Sequence, residues 1–212
     1  MKRLADVFGA DRVIGQPCDV TDLNQLQGLW DRAKERFGRV DIWINNAGIP
    51  NTSRPFWELD PAEIIPVVHT NIIGVMYGCH VALRGMMEQG FGQVYNLEGH
   101  GSDGSTLPGI AVYGTTKRAV RYFSEALLEE VEGTPVQIGM LSPGIVVTDF
   151  LMHNLRRMEP DRLETVTPFL VEGILHNDKN GTEIAWLTME KANERFNSDE
   201  YANRDLFSQY GL

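Results

Sequence analysis

Residues 40–48 of the chain read VDIWINNAG, and this stretch decides the fold class. Four of its first five residues are apolar and three of those are β-branched, which is typical of a buried β-strand. The asparagines, alanine and glycine that follow are typical of a turn at the end of the strand. A buried strand that ends in this way indicates a parallel sheet covered by helices.

Strand-like and helix-like segments alternate on both sides of this stretch, which predicts an α/β fold around a mostly parallel sheet. Upstream, a strand is predicted at 12–15 and a helix at 22–37. Asp60, Pro61 and Glu63 predict a capping box at the start of a long helical stretch. The downstream elements are strands at 93–97, 136–141 and 182–187, a helical stretch at 60–90 that Pro66 should kink or divide, a helix at 113–131, and irregular structure over 145–180.

The composition is that of an ordinary globular chain, since 42% of the 212 residues are hydrophobic and 23% are charged. The formal net charge of −10 argues against nucleic acid or an anionic membrane as the main partner. The sequence has two cysteines, Cys18 and Cys79, which argues against a disulfide framework. It contains no run of about 18 apolar residues of the kind that would predict a membrane span. These observations predict one cytoplasmic domain over residues 1–212, with a polar tail at 190–212 and no metal site.

Tyr113 and Lys117 stand four residues apart at the start of a predicted helix and therefore share one face. A nearby cation favours the phenolate, so this spacing predicts a lowered pKa for Tyr113 and an acid or base usable near neutral pH. Taken alone, the pair fits a surface tyrosine beside a solvated lysine equally well, because such spacings arise by chance.

Five features occur in order along the chain and together resemble the short-chain dehydrogenase/reductase family, in its common short form, over about residues 10–190. They are Asp19-Val20 after the first predicted strand, Asn45-Asn46-Ala47-Gly48 after the next, Asn71 in the long helical stretch, the Tyr113 and Lys117 pair, and Pro143-Gly144 with Thr148 beyond it. The resemblance implies a Rossmann-like, doubly wound parallel sheet that binds its ligand at the carboxyl ends of the strands.

The resemblance also implies an NAD(P)-dependent oxidoreductase of the carbonyl reductase or alcohol dehydrogenase type, in which Tyr113 is the acid or base. Lys117 would lower the pKa of Tyr113 and bind the nicotinamide ribose. Asn71 would hold a water of the proton relay, with a hydrogen bond to local backbone as the competing role. The residues implied in cofactor binding are Asp19, Val20, Asn46, Ala47, Gly48, Tyr113, Lys117, Pro143, Gly144, Val146 and Thr148. Both NAD and NADP fit, because the discriminating residue of the family follows a second strand that this sequence lacks.

The serine that the family uses in its active site has no direct counterpart here. Counting back from Tyr113 by the usual family spacing gives His100, and counting forward from the end of the preceding strand gives Gly99. Ser102 could move into the place of the serine because the loop is rich in glycine. Ser105 is the second candidate, and His100 is a further possible donor.

The start of the sequence departs from the family pattern more strongly. The first strand, the glycine turn, the first helix and the second strand are missing, which together amount to about 40 residues at usual element lengths. In the strand order 3-2-1-4-5-6-7 of the family, their loss separates the strand near Val13 from the strand near Ile42 by about 14 Å. Three outcomes are open: the sheet closes up, the gap stays open, or the natural polypeptide is longer. We expect a start codon chosen too late, or a fragment, and weak NAD(P)H binding with aggregation of the 212-residue chain.

A narrower resemblance concerns residues 96–105, 111–114 and 142–149, which look like the chlorophyll(ide) b reductase branch of the family. Members of that branch reduce a formyl group on a bulky macrocycle. The apolar residues between Phe150 and Leu170 are compatible with a large hydrophobic aldehyde or ketone as substrate, and equally with a helix that packs on the core.

A second functional hypothesis is a non-catalytic, cofactor-deficient family member that acts as a subunit or binding protein. The missing glycine turn favours it, whereas the intact set of Tyr113, Lys117 and Asn71 favours the enzyme. The resemblance implies a homodimer or homotetramer built through the two long helices, with a small-molecule carbonyl or alcohol as the substrate.

Overall fold

The computed structural model describes residues 2–144 and 163–188 and shows a four-stranded parallel sheet. The order of the strands in the sheet is the order in the chain, β1-β2-β3-β4. The strands are β1 (Ile42–Asn45), β2 (Gly92–Leu97), β3 (Val136–Ser142) and β4 (Thr182–Ala185). The helices are α1 (Lys2–Phe8), α2 (Leu23–Phe37), α3 (Ile64–Val68), α4 (Gly74–Gln89), α5 (Ala111–Glu130) and α6 (Leu163–Leu175). The prediction of an α/β fold with a parallel sheet is confirmed.

One face of the sheet carries the main core. Val94 of β2 is paired with Ile138 of β3, and both side chains are fully buried against α4 and α5. Burial of a side chain such as Met86 of α4, which is 0% exposed, contributes about 1.5–3 kcal/mol. Helix α2 forms an outer layer on α4, and a Cβ at Gly85 would overlap the indole of Trp30. Only a glycine at this position allows the two helices to approach so closely.

Helix α6 covers part of the opposite face. Ile174 of α6 packs with Tyr95, Leu141 and Ile184, which lie on β2, β3 and β4. The sequence predicts irregular structure over 145–180, and for α6 that prediction is wrong. The β-branched residues and Pro168 weaken the local helical signal, but packing on the sheet stabilises the helix.

The helical stretch after Asp60 differs in two details from its prediction. The stretch is divided, as predicted, into a 3₁₀ turn at Pro61–Glu63, α3 and α4, but Pro66 itself lies in the first turn of α3, where a missing N–H costs little. A π-turn at His69–Ile73 separates α3 from α4. Asp60 caps the start as predicted, but Glu63 accepts a hydrogen bond from the backbone of Thr52 at 2.7 Å rather than closing a capping box.

The path from Pro61 to Gln89 is long and apolar enough to cross a membrane by length and composition alone. In this fold one side of it lies in the core. Cys79, Ala82 and Met86 of α4 are at most 1% exposed and pack between the sheet and α2.

The strand predicted at 12–15 is absent, since these residues form no regular element. Within the described residues, no strand pairs with β1 on its outer edge. The segment instead lies along α2 and α4: Arg36 donates to the Asp11 carbonyl at 2.9 Å, and Val20 packs against Gly74. An apolar run becomes a strand only where a neighbouring strand accepts its backbone hydrogen bonds, and the described part of the chain offers none at this place. The last strand ends at Ala185 rather than at residue 187, and the predicted polar tail at 190–212 lies outside the described residues.

Candidate active site

The carboxyl ends of β1, β2 and β3 meet at one edge of the sheet, beside the start of α5. The turns that follow these strands begin at Asn46, Glu98 and Pro143. This edge is where open α/β sheets bind their ligands, and most of the predicted site residues that the structure describes lie there.

Tyr113 and Lys117 lie on the first two turns of α5 and face this edge. The Lys117 Nζ atom is 5.7 Å from the centre of the Tyr113 ring and donates a hydrogen bond to the Leu97 carbonyl at 2.9 Å. Lys117 is only 5% exposed, which excludes the reading of the pair as a surface tyrosine beside a solvated lysine. The pair is therefore part of a buried site.

Burial dominates the proton affinities of the pair. It raises the pKa of Tyr113, which is the opposite of the direction that the sequence predicts from a nearby cation. It also lowers the pKa of Lys117 to about 8, against the opposing effect of the Glu98 carboxylate. The cation does not offset the desolvation of the phenolate in this arrangement, so Tyr113 is a protonated phenol at neutral pH.

Asn71 lies in the π-turn and is 1% exposed. Its amide oxygen accepts from the Ile49 N–H at 2.8 Å, and its amide nitrogen donates to the Ile49 carbonyl at 2.9 Å and to Thr116 Oγ1 at 3.0 Å. Asn71 thus clamps the loop after β1 onto α5. The backbone that it binds is 22 residues away in the chain, so the hydrogen bond to local backbone does not form.

Gly48 connects this clamp to the lysine. A Cβ at Gly48 would lie 3.4 Å from Asn71 Oδ1 and 3.8 Å from Lys117 Nζ. The structure therefore brings together Gly48, Asn71, Tyr113 and Lys117, although they are spread over 70 positions of the sequence.

Sequence reasoning missed Asn51, which is 2% exposed. Its Oδ1 accepts from the Tyr113 N–H at 3.0 Å, and its Nδ2 donates to the carbonyls of Thr52 and Gly109 at 2.9 Å each. Ile110 stands at the N-cap position of α5 and makes no side-chain cap. That missing local cap is the signal that could have pointed to a remote acceptor, because the first N–H groups of a helix need partners.

Gly99 occupies the backbone position from which a side chain would point at Tyr113. A Cβ at Gly99 would overlap the Tyr113 hydroxyl and would lie 3.2 Å from Lys117 Cε. The residue reached by counting forward from the strand end is therefore a glycine that lies against Tyr113, and in this arrangement a side chain there would clash with the phenol.

The other serine candidates lie further along the same loop. Ser102 is buried, its N–H donates to the Gly99 carbonyl at 3.1 Å, and its own carbonyl accepts from Arg118 at 2.8 Å. Ser105 donates to the Asp103 carboxylate at 2.6 Å, and His100 is exposed. Ser102 is thus the buried candidate of the three.

The predicted cofactor residues fall into three groups. Asp19 is exposed and its carboxylate accepts from the N–H and hydroxyl of Thr21 at 2.9 and 2.8 Å, which lowers the pKa of Asp19. Asn46 and Ala47 are exposed beyond β1, and Gly144, with φ of 73°, follows Pro143 at the end of β3. Val146 and Thr148 lie outside the described residues, as do the apolar residues from Phe150 to 162.

In the part of the chain that the structure describes, no cluster of three or more His, Cys, Asp or Glu side chains could hold a metal ion.

Relatives of known name match most of this chain. It is 35% identical over 195 residues to the probable chlorophyll(ide) b reductase NYC1, chloroplastic, of Oryza sativa subsp. japonica, covering 88% of this chain and 39% of that protein. It is 38% identical over 209 residues to the chlorophyll(ide) b reductase NOL, chloroplastic, of Arabidopsis thaliana, covering 91% of this chain and 60% of that protein. The chain thus spans about two fifths to three fifths of the length of these relatives.

Solved structures share the fold. A short chain dehydrogenase/reductase from Burkholderia phymatum in complex with NAD superposes with a TM-score of 0.76 at 22% identity, covering 97% of this chain and 83% of that one. A 3-ketoacyl-(acyl-carrier-protein) reductase from Brucella melitensis complexed with NADH gives a TM-score of 0.77 at 20% identity, covering 87% and 81%. The sequence model of the family described as short chain dehydrogenase matches residues 1–159. The chain therefore belongs to the short chain dehydrogenase family.

Proposed function

We propose that the protein is an NAD(P)-dependent oxidoreductase that interconverts a carbonyl compound and its alcohol. The observation that carries the proposal is the half-buried Tyr113 beside the buried Lys117 at the carboxyl edge of the sheet, next to Gly48 and Asn71. A buried ammonium costs stability, and such groups are often retained at functional sites.

The residues at this edge fit the nicotinamide half of a dinucleotide. Gly48 lacks the side chain that would otherwise fill the space beside Lys117 Nζ and Asn71 Oδ1. Lys117 would donate to a ribose hydroxyl, Gly48 would give close access for the sugar, and Pro143 and Gly144 would contact the nicotinamide. Asp19, Val20, Asn46 and Ala47 would contact the adenosine end, and Val146 and Thr148 complete the proposed set. When bound, NAD(P)H supplies the hydride.

The chain's own residues supply the proton. Burial keeps Tyr113 protonated at neutral pH, so the phenol can donate to the carbonyl oxygen as that oxygen gains charge. The Lys117 ammonium lies over the same ring and stabilises the phenolate left behind. Ser102 is the proposed donor that holds the carbonyl, and Asn71 fixes the loop that carries Gly48.

A bulky hydrophobic aldehyde or ketone is the proposed substrate class. Trp57 is 83% exposed, Phe56 is 59% exposed and Leu107 is 41% exposed, all on the loops that flank Tyr113. The hydrogen bond from Asn51 to the Gly109 carbonyl ties these two loops together. Exposed aromatic residues beside a site are typical of surfaces that bind apolar partners. The relatives named chlorophyll(ide) b reductases favour the same class.

Gly99 supports a second candidate, a family member without catalysis that serves as a subunit or binding protein. The position that faces the Tyr113 hydroxyl lacks a side chain that could hold a carbonyl.

We also propose a homodimer or homotetramer built through α4 and α5. The outer faces of these helices carry exposed apolar residues such as Met87 and Tyr122. Light scattering at micromolar concentration tests this assembly.

The test of the enzyme is the reduction of pyrene-1-carbaldehyde and of propanal by NADPH and by NADH, followed by nucleotide absorbance. Tyr113→Phe should abolish turnover and leave nucleotide binding nearly intact, because the ring stays and the proton is lost. Tyr122→Phe is the matched control, since Tyr122 lies on the same helix and is 74% exposed. Activity of Tyr113→Phe within tenfold of the parent removes Tyr113 from the mechanism.

The same assay tests the substrate class and the non-catalytic candidate. A kcat/KM at least about tenfold higher for the pyrene aldehyde supports the hydrophobic class, and Trp57→Ala should reduce that preference. Phe37→Ala, at the far end of α2, is the control. A wild-type protein that binds nucleotide but reduces neither aldehyde supports the non-catalytic candidate.

A further inference from the structure

We propose that Glu98 is a positioning residue that holds Lys117 in its charged form. The inference deepens the proposed function and rests on it. Glu98 is the residue that directly follows β2, and its side chain is 1% exposed. A carboxylate so completely buried at the edge of a candidate active site needs a reason, because desolvation makes it costly.

Both the side chain and the backbone of Glu98 are held in place. Arg121 Nη1 donates to both of its oxygens, at 3.0 and 3.2 Å. The Glu98 N–H donates to the Leu141 carbonyl at 2.8 Å, which holds its backbone on β3. The carboxylate is therefore placed by the sheet and by α5 together.

The spacing on α5 places Lys117 next to this ion pair. Tyr113, Lys117 and Arg121 follow each other at intervals of four residues and form one stripe towards the end of β2. Lys117 Nζ donates to the Leu97 carbonyl at 2.9 Å, and Leu97 is the residue before Glu98. Lys117 therefore binds the residue before Glu98 and lies one helical turn from Arg121, which binds the Glu98 carboxylate.

The charged and titratable groups around Lys117 come from three elements. They are Tyr113, Arg121 and Glu125 on α5, Glu98 after β2, and Glu183 on β4. Glu125 and Glu183 contact Arg121 but are 52% and 42% exposed, so solvent screens them. Of these carboxylates, Glu98 is the one that raises the pKa of Lys117 against burial.

The consequence is chemical. Burial lowers the pKa of Lys117 to about 8 even with Glu98 present, so the ammonium is only just maintained near neutral pH. A neutral amine would not stabilise the Tyr113 phenolate. Glu98 acts through Lys117. Burial raises the pKa of Glu98, and the charge and hydrogen bonds of Arg121 oppose that shift.

The direct test is the titration of Lys117 by NMR in protein labelled with 13C at the lysine ε carbon. The chain has five lysines, and Lys117→Arg identifies the Lys117 signal. Glu98→Gln should lower the pKa of Lys117 by about one unit or more, the size expected for loss of a close opposite charge. Glu98→Asp should give a smaller shift because its charge is drawn back. Glu125→Gln, which also removes a carboxylate from Arg121 but an exposed one, should give none.

Kinetics supply the second readout. The alkaline limb of kcat/KM for pyrene-1-carbaldehyde should move to lower pH in Glu98→Gln and stay in place in Glu125→Gln. If Glu98→Gln does not fold, Glu98→Asp carries the NMR test. An unchanged Lys117 pKa in the folded Glu98 variants overturns the inference. A shifted pKa in a protein without any reductase activity supports the role of Glu98 and contradicts the proposed function.

Discussion

Replacement of Lys117 by methionine should make the protein more stable at pH 7 while removing its proposed activity. Lys117 is 5% exposed, and burial lowers its pKa from an ordinary 10.5 to about 8. A shift of this size corresponds to a cost of about 3 kcal/mol for the charged form in the folded protein at pH 7. Methionine has nearly the same length and no charge to desolvate, so Lys117→Met avoids that cost.

One loss opposes the gain. The Leu97 carbonyl accepts from Lys117 Nζ at 2.9 Å and would lose this donor, at a cost of about 1 kcal/mol. Glu98 keeps both of its hydrogen bonds from Arg121. The net expectation is a variant about 2 kcal/mol more stable than the parent at pH 7.

The pH dependence of the stability difference between Lys117→Met and the parent tests whether the buried charge is its cause. Between about pH 8 and 10.5 the unfolded chain holds the Lys117 proton and the folded chain does not, so the parent gains stability as pH rises. The advantage of Lys117→Met should be constant below about pH 8 and should disappear by about pH 10.5. Above that range the parent should be the more stable protein, by the value of the lost hydrogen bond.

Urea unfolding followed by tryptophan fluorescence at pH 7 and pH 10 measures this difference. Lys34→Met is the control, because Lys34 is exposed on α2 and its loss should change stability little at either pH. A Lys117→Met protein that is less stable than the parent at pH 7 refutes the reasoning, as does an advantage that does not change with pH.

The remaining predictions concern the loops around Tyr113. Ser102→Ala should lower kcat for aldehyde reduction by about 10²–10³ if Ser102 holds the carbonyl, whereas Ser105→Ala should be mild. Steady-state rates check this, and the reverse ranking moves the role to Ser105. Asn51→Ala removes the partners of Tyr113 N–H and Gly109 and should lower the free energy of unfolding by about 1–3 kcal/mol. Urea unfolding measures that loss, and an unchanged stability contradicts the capping role of Asn51.

The strands that pack on both faces were predictable from sequence, because burial imposes apolar runs. The stretches at 40–45, 93–97 and 136–141 are strands close to where the pattern places them. The run at 12–15 also contains β-branched residues, but among the described residues no strand lies beside it, so its composition misleads. A strand is a property of a pair of segments, whereas a run of apolar residues is a property of one.

The site residues that belong to the ordered motifs were predictable from sequence. Those that act through contacts between distant parts of the chain were not. Tyr113, Lys117, Asn71 and Gly48 come together as the order of motifs predicts. Asn51 is joined to Tyr113 across 62 residues, a contact without local signature. The direction of the Tyr113 pKa shift was wrong, because spacing shows a nearby cation and does not show burial.

The polar groups behind the site show what fixes its geometry. Asn45 Nδ2 donates to Asn96 Oδ1 at 2.8 Å, and Asn96 Nδ2 donates to Ser124 Oγ at 2.9 Å, which links β1, β2 and α5 inside the core. Cys79 of α4 joins at 3.3 Å from Asn96 Oδ1, with burial raising the thiol pKa to about 12. Among the described side chains, no buried polar atom lacks a partner. An apolar core would bury the same volume at lower cost but would let α5 slide on the sheet. We infer that this network sets the angle of α5, and therefore that Tyr113 is held against Gly99 by the sheet rather than by the loops alone.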